Sequence, residues 1–277
     1  MHVSYIQTQN IVNTMMINFK KKGYFVEKEL FGKNKLLNIK NDISNIFENT
    51  NENSSINFMR DSNKLDEIVS HTFYNDYKAF LGSIRVCQNL ISLINLSIDT
   101  KILSILKTLG LNKPVQSTPP MLMMNSSKLS RKDSHHKTPP HQDWRSIQGS
   151  IDSVVVWIPL VDVTKDMGPL QIVPFSHKNG LKRTIKDEWF RKIKNPPSDD
   201  QFINVEMNKG DALFFSTFLI HKSGDICADK IRWSVQFRYN NLEDRTFIKN
   251  KYPNPYQIKI NDKIINPKFF ESIIEPK

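Results

Sequence analysis

The chain reads as an α+β protein with a jelly-roll core. Two observations predict this fold class. Up to residue 114 the apolar residues recur mainly at helical spacing, whereas between 115 and 245 they gather into short, strand-sized runs. Between those runs stand turns marked by proline and glycine. A length of 277 residues with 39% hydrophobic residues suffices for one large domain. The expected organisation is therefore a single domain over 1–277. It has a mainly helical part (1–114), a β core (115–245) and a tail (246–277).

The elements follow in order. A helix over 4–19 ends at the lysines of 20–22, and Gly23–Val26 makes a short strand. Leu37, Ile39, Ile43 and Ile46 set a helix over 36–47, and the asparagine-rich stretch 49–57 is a loop. Residues 65–96 are helical with a break near Asn75 or Gly82. Leu81, Ile84, Leu90, Ile94 and Leu96 are expected to form a stripe packed on the sheet. A helix over 100–109 stops at Gly110 and Pro114. After Pro119-Pro120 the strand MLMMN carries methionines suited to a core, and 126–137 is a basic loop. The strand 151–161 alternates Ser153, Val155 and Trp157 against Val154, Val156 and Ile158, with Pro159 at its end. A turn at 165–168 leads to a strand at 169–173. A short helical piece is expected at 187–193, three more strands at 201–240, and a mostly looped tail with one short hairpin beyond.

Composition removes several function classes. No run approaches the ~18–20 apolar residues of a membrane span; the longest, VVVWIPLV and ALFFSTFLI, are strand-sized. The first residues lack the basic start and apolar block of a signal peptide, so the expected location is cytoplasmic. Cys87 and Cys227 are too few for a disulfide framework and neither belongs to a CxxC. The net charge of +11 favours anionic partners, yet the lysines are scattered and not interleaved with aromatics into a nucleic-acid motif.

The chemistry concentrates in His141-Gln142-Asp143. Strand side chains two apart share a face, so an imidazole and a carboxylate stand ready to grip one ion. His221, closing GDALFFSTFLIH, is the best third ligand. Two histidines and one carboxylate with open positions make the facial triad of non-haem Fe(II) oxygenases. His135 and His136 compete poorly, since they sit in a loop without a partner at strand spacing. If 210–221 and 231–240 are adjacent antiparallel strands, Arg232 comes close to the metal and can fork a carboxylate. On that last strand Ser234, Gln236 and Arg238 share the inward face of Arg232, while Trp233, Val235, Phe237 and Tyr239 face a second layer. A polar inner face suits a small polar substrate bearing a carboxylate or phosphate, with Gln236 and Arg238 reaching it and Trp144 and Trp157 flanking it.

These residues resemble the phytanoyl-CoA dioxygenase family of Fe(II)/2-oxoglutarate oxygenases. The matching segments are HQDW at 141–144, GSIDSVVVWIPL at 149–160, MGPLQIVPFSH at 167–177, GDALFF at 210–215, HKS at 221–223 and Arg232. A weaker echo lies in FKKKGYFVEKELF at 19–31. Phe175 departs from the pattern, standing where the family usually has glycine, in a loop expected at the mouth. The resemblance implies a cupin-like double-stranded β-helix with N-terminal helices packed outside the larger sheet, and an insert at 178–200 over the site. It makes His177, the rival of His221, a loop-shaping residue. It implies Fe(II) as cofactor and 2-oxoglutarate and O2 as co-substrates, with Arg232 and Ser223 on the far carboxylate. The implied products are succinate and CO2. Asp143 favours hydroxylation, since related halogenases lack that carboxylate; desaturation or ring formation stays open, as does a non-catalytic jelly-roll binding protein.

Overall fold

The computed structural model describes residues 15–51, 64–129, 137–186 and 191–255. The start of the first expected helix, His135 and His136, residues 187–190 and the expected C-terminal hairpin lie outside them. Residues 15–22 are helical and lead into β1 (Tyr24–Glu27). Five helices follow: α1 (Lys33–Thr50), α2 (Lys64–Asn75), α3 (Tyr77–Cys87), α4 (Ile91–Ser97) and α5 (Thr100–Thr108). Each buries one stripe, such as Leu36, Ile39, Ile43 and Phe47 on α1.

The expected stripe on α3 and α4 is corrected. Leu96 is buried as expected and Ile84 and Leu90 are half-buried against the core, but Leu81 and Ile94 are exposed, and Phe80, Cys87 and Leu93 are buried in their place. The cause is phase: Asp76 caps α3 by accepting from Ala79 N–H (2.9 Å), and the chain breaks again at Leu90. Residues spaced as if on one helix therefore fall on different faces.

The strands form two main sheets. The larger runs β1–β9–β4–β11, and β11 carries both β2 and β3 on its far side. Here β2 is Pro114–Gln116, β3 Met121–Asn125, β4 Val154–Pro159, β9 Ala212–Ser216 and β11 Arg232–Asn241. The smaller runs β10–β5–β8, with β10 His221–Ser223, β5 Leu170–Ile172 and β8 Ile203–Val205. All pairings are antiparallel.

Period-2 alternation splits the larger sheet into two faces. Val154, Val156, Ile158, Trp233, Val235 and Phe237 pack outward against the helices. Val155, Trp157, Leu213 and Phe215 point inward, where they meet Leu170, Ile172 and Val205 of the smaller sheet. Thus helices cover one face and the second sheet the other.

Four further expectations are corrected. Residues 191–193 form a strand, β7, paired with β6 (Thr184–Lys186), not part of a helix. Residues 201–241 hold four strands, because a turn separates β9 from β10. The strands bearing His221 and Arg232 are not adjacent: β11 pairs β4, and β10 pairs β5 in the opposite sheet. A five-residue helix, α7 (Arg245–Lys249), begins the region expected to be loop.

Candidate metal and co-substrate site

A cavity of about 410 Å³ opens between the sheets. His141, Asp143 and His221 stand together at it, each offering a ligand atom within 4.8 Å of the others. The two histidines are neighbours through the main chain: His141 N–H donates to His221 C=O (3.0 Å), and His221 N–H donates back (3.1 Å). The strand argument for His-x-Asp is corrected in its geometry. His141 makes an isolated bridge, but Asp143 has helical dihedrals at the head of α6 (Trp144–Ile147). The turn into α6 swings the carboxylate back towards the imidazoles. His141 Nε2 and His221 Nε2 each lie 3.8 Å from an Asp143 oxygen. Two bonds of about 2.1 Å to a shared divalent ion can span such a gap.

Protonation suits the same use. His141 Nδ1 lies 2.8 Å from Pro139 C=O and His221 Nδ1 2.9 Å from Leu219 C=O. Donation to these carbonyls puts the lone pair of each ring on Nε2, facing Asp143. Burial holds the His141 imidazolium down, to about 3, and His221 beside it adds to the effect; burial lowers His221 as well. For Asp143 burial pulls upward, but the Arg238 guanidinium and the two histidines outweigh it and hold the carboxyl at about 2. Arg238 Nη2 donates to Asp143 Oδ1 (3.0 Å) and Gln236 Nε2 to Oδ2 (3.0 Å). Gln236 and Arg238 thus line the cavity with donors turned onto Asp143.

Arg232 lies farther along the same face and is 2% exposed. Its guanidinium donates to Gly168 C=O and to Asn125 Oδ1 (2.8 Å), and lies 5.8 Å from the Trp157 ring. It has no acid partner among the described residues, and its Nε is buried without a hydrogen bond. Burial alone lowers it to about 10. Gly168 has φ +64°, and a Cβ there would collide with Ile226, so glycine keeps this carbonyl in place. Ser223 lines the cavity too, its Oγ 2.6 Å from Thr138 Oγ1.

Several expected positions lie elsewhere. Trp157 lines the cavity, but Trp144 does not: it stacks on Phe218 at 5.2 Å and donates Nε1–H to Ser150 C=O (3.1 Å). Phe175 is exposed and also off the cavity. His177 sits against the helix end, with Nε2 3.2 Å from Lys20 C=O and its ring where a Gly23 side chain would be.

Sequence reasoning missed other residues. Gln142 is buried and ties its own segment to two others, donating to Gly180 and Phe218 C=O and accepting from Lys182 N–H (each 2.7 Å). Asn125 is the register partner of Arg232, and its signal was a polar residue ending the apolar run MLMMN. Met121 and Met123, expected in the core, line the cavity, as do Arg145 and Arg191.

Two facing sheets with a His-x-Asp…His cluster between them define the double-stranded β-helix class of protein. Within that class the chain belongs to the phytanoyl-CoA dioxygenase family, whose model matches residues 19–234. A 1-deoxypentalenic acid 11-beta-hydroxylase of Streptomyces arenae is 35% identical over 95 residues, 31% of this chain and 34% of the relative. Phytanoyl-CoA dioxygenase 1 of Oryza sativa subsp. japonica is 39% identical over 89 residues, 30% and 32% respectively. The chain thus spans about a third of the length of these curated relatives. Among solved structures the fold is similar to the epimerase SnoN in complex with Fe3+, alpha ketoglutarate and nogalamycin RO. There the TM-score is 0.59 at 16% identity over 84% of each chain. It is also similar to apo EctD from S. alaskensis, with TM-score 0.54 and 14% identity over 94% of this chain and 82% of that one.

Proposed function

We propose that the protein is an Fe(II)/2-oxoglutarate-dependent dioxygenase that hydroxylates a small polar or anionic metabolite. The observation that carries this is a pairing: a buried two-histidine, one-carboxylate cluster beside a buried arginine lacking an acid partner among the described residues. His141 Nε2, Asp143 and His221 Nε2 would hold the iron, the ligand set of non-haem Fe(II) oxygenases. Arg232, with the Ser223 hydroxyl in the same cavity lining, would take the far carboxylate of 2-oxoglutarate. Iron with 2-oxoglutarate and O2 supplies the oxidation of a substrate C–H bond, with release of succinate and CO2.

The chain's own residues prepare this. Pro139 and Leu219 carbonyls fix the histidine tautomers, so no proton has to leave before an ion binds. Arg238 and Gln236 keep Asp143 ionised and oriented. Trp157 covers one side of Arg232 and limits water there. We read 1–277 as one domain, since helices and larger sheet share a core, and as cytoplasmic, since Cys87 and Cys227 are unpaired. No single described helix is long and apolar enough to cross a membrane.

The test is succinate formation from 2-oxoglutarate under Fe(II), screened against carboxylate- and phosphate-bearing metabolites. One or more should stimulate turnover, and His221→Ala should abolish it. A protein that binds neither iron nor 2-oxoglutarate would instead be a binding protein of the same fold. Product analysis decides among oxidative outcomes, as the names of the epimerase SnoN and the carbocyclase SnoK indicate for those proteins.

A further inference from the structure

Arg232 owes its orientation to the strand opposite. Arg232 on β11 and Asn125 on β3 are register partners, so their side chains stand across from each other on the cavity face. Asn125 is buried, and its Oδ1 accepts from Arg232 Nη2 at 2.8 Å. A guanidinium only donates, so the amide must turn its oxygen, and not its nitrogen, towards Arg232. Gly168 C=O, in the turn before β5, accepts from Nη1 of the same group. The guanidinium is thus held from two segments, which fixes the plane of its fork.

Both holders are neutral. They orient the cation without cancelling its charge, and burial strengthens that charge's pull on an anion in the cavity. A carboxylate at 125, nearly the same in shape as the amide, would make a matched buried pair like that of Arg238 with Asp143. This end of the cavity would then offer an anion no net charge. An aliphatic side chain would instead leave the charge and remove the brace. Asn125 is also set apart from the metal ligands: Met121, four residues earlier on β3, is the register partner of Gln236, which holds Asp143. A change at 125 therefore acts at the far end of the co-substrate and not at the metal.

We infer that Asn125 is a positioning residue that makes the cavity selective for a 2-oxo acid with an anionic far end. It braces Arg232 and leaves the arginine's charge unmatched. This rests on the reading of Arg232 as the co-substrate anchor, and it supplies the reason that the anchor stays both charged and aimed.

The test is calorimetric titration of the Fe(II)-loaded protein, under nitrogen, with 2-oxoglutarate and with 2-oxopentanoate. The second ligand has the same chain length and the same 2-oxo acid end but no far carboxylate. Wild type, Asn125→Asp, Asn125→Leu and Arg232→Met are compared. Wild type should bind 2-oxoglutarate about a hundredfold more tightly than 2-oxopentanoate. Asn125→Asp should lose nearly all of that preference and Asn125→Leu about tenfold of it, while both bind 2-oxopentanoate as wild type does. A merely structural role for Asn125 would weaken the two ligands alike. If Asn125→Asp does not fold, Asn125→Leu decides alone. The inference is overturned if either folded Asn125 variant keeps the wild-type preference, or if it weakens both ligands equally. Preference kept in Arg232→Met, or absent from the wild type, would instead remove the anchor reading beneath it.

Discussion

Arg232 and Arg238 sit on the same face of β11, both almost wholly buried, yet in opposite electrical situations. Arg238 meets Asp143 at 3.0 Å, a charge matched by a charge. Arg232 meets a backbone carbonyl and the Asn125 amide, both neutral. A matched buried pair keeps its geometry without help, whereas an unmatched buried cation is a standing electrostatic cost until an anion arrives. The first is what orienting a ligand carboxylate needs; the second is what binding a dianionic co-substrate needs.

Breaking the pair should have the largest effect. Asp143→Ala should abolish iron-dependent succinate formation and, in the metal-free protein, cost about 3 kcal/mol by stranding Arg238, read from urea denaturation. Arg238→Met should cost about as much without iron and less with it, because the ion then shares the Asp143 charge. Loss below about 1 kcal/mol in both would mean that the pair is not a matched one.

Arg232 should behave the other way. Arg232→Met should cost the metal-free protein less than about 1 kcal/mol while eliminating 2-oxoglutarate binding. Arg232→Lys, which keeps charge but loses the fork, should raise the 2-oxoglutarate requirement about tenfold. An unchanged requirement in a calorimetric titration would move the anchor elsewhere.

Acid sharpens the comparison from the histidine side. His141 and His221 are held below their ordinary 6.5 in the folded chain. The unfolded chain therefore takes up protons first as pH falls. Their contribution is whole above about pH 6.5 and is lost progressively below it, by up to roughly 1.4 kcal/mol per pH unit for each histidine, down towards about 3 for His141. Asp143, held at about 2, adds to the loss below its ordinary 3.8. Thermal melts of the metal-free protein from pH 7.5 to 5 should show a decline starting near 6.5.

The smallest effect concerns Phe175. Its φ of 67° lies in the left-handed region. Phe175→Gly should relieve about 1 kcal/mol of backbone strain, partly offset by unfolded-chain entropy, for a net gain of about 0.5 kcal/mol. Because the residue is off the cavity, succinate formation should not change.

What could be read from the chain follows the same physics. β11 was legible on both faces because alternation is a local property of the ten consecutive buried residues Arg232–Asn241. His141, Asp143 and His221 were legible as a cluster, but the reason they converge was not. Asp143 reaches the imidazoles through a helical turn, and side-chain alternation says nothing about turns. Trp144 was misplaced for the same cause, since α6 carries it to Phe218. The partner of Asp143 was hidden because it depends on β11 crossing the cavity opposite α6, a long-range matter. Arg191 was hidden because its segment looks helical in composition, while a backbone bond from Ile193 to Pro140 ties it to the site.

The two-faced character of β11 also bears on how this chain tolerates changes of length. Deleting one residue early in Arg232–Asn241 would reverse every later side chain, sending Trp233 or Phe237 into the cavity and an arginine into the helix layer. Core and site would be lost in one step, so no indel in this strand can damage the chemistry and spare the fold. The β6–β7 hairpin is built on other terms. It pairs only with itself as a sheet, so insertions there can reshape the cavity rim while Arg232, Arg238 and the triad keep their register. Variation in what the cavity accepts is therefore cheapest at 184–193, and the strand opposite is where the chain's length is held constant.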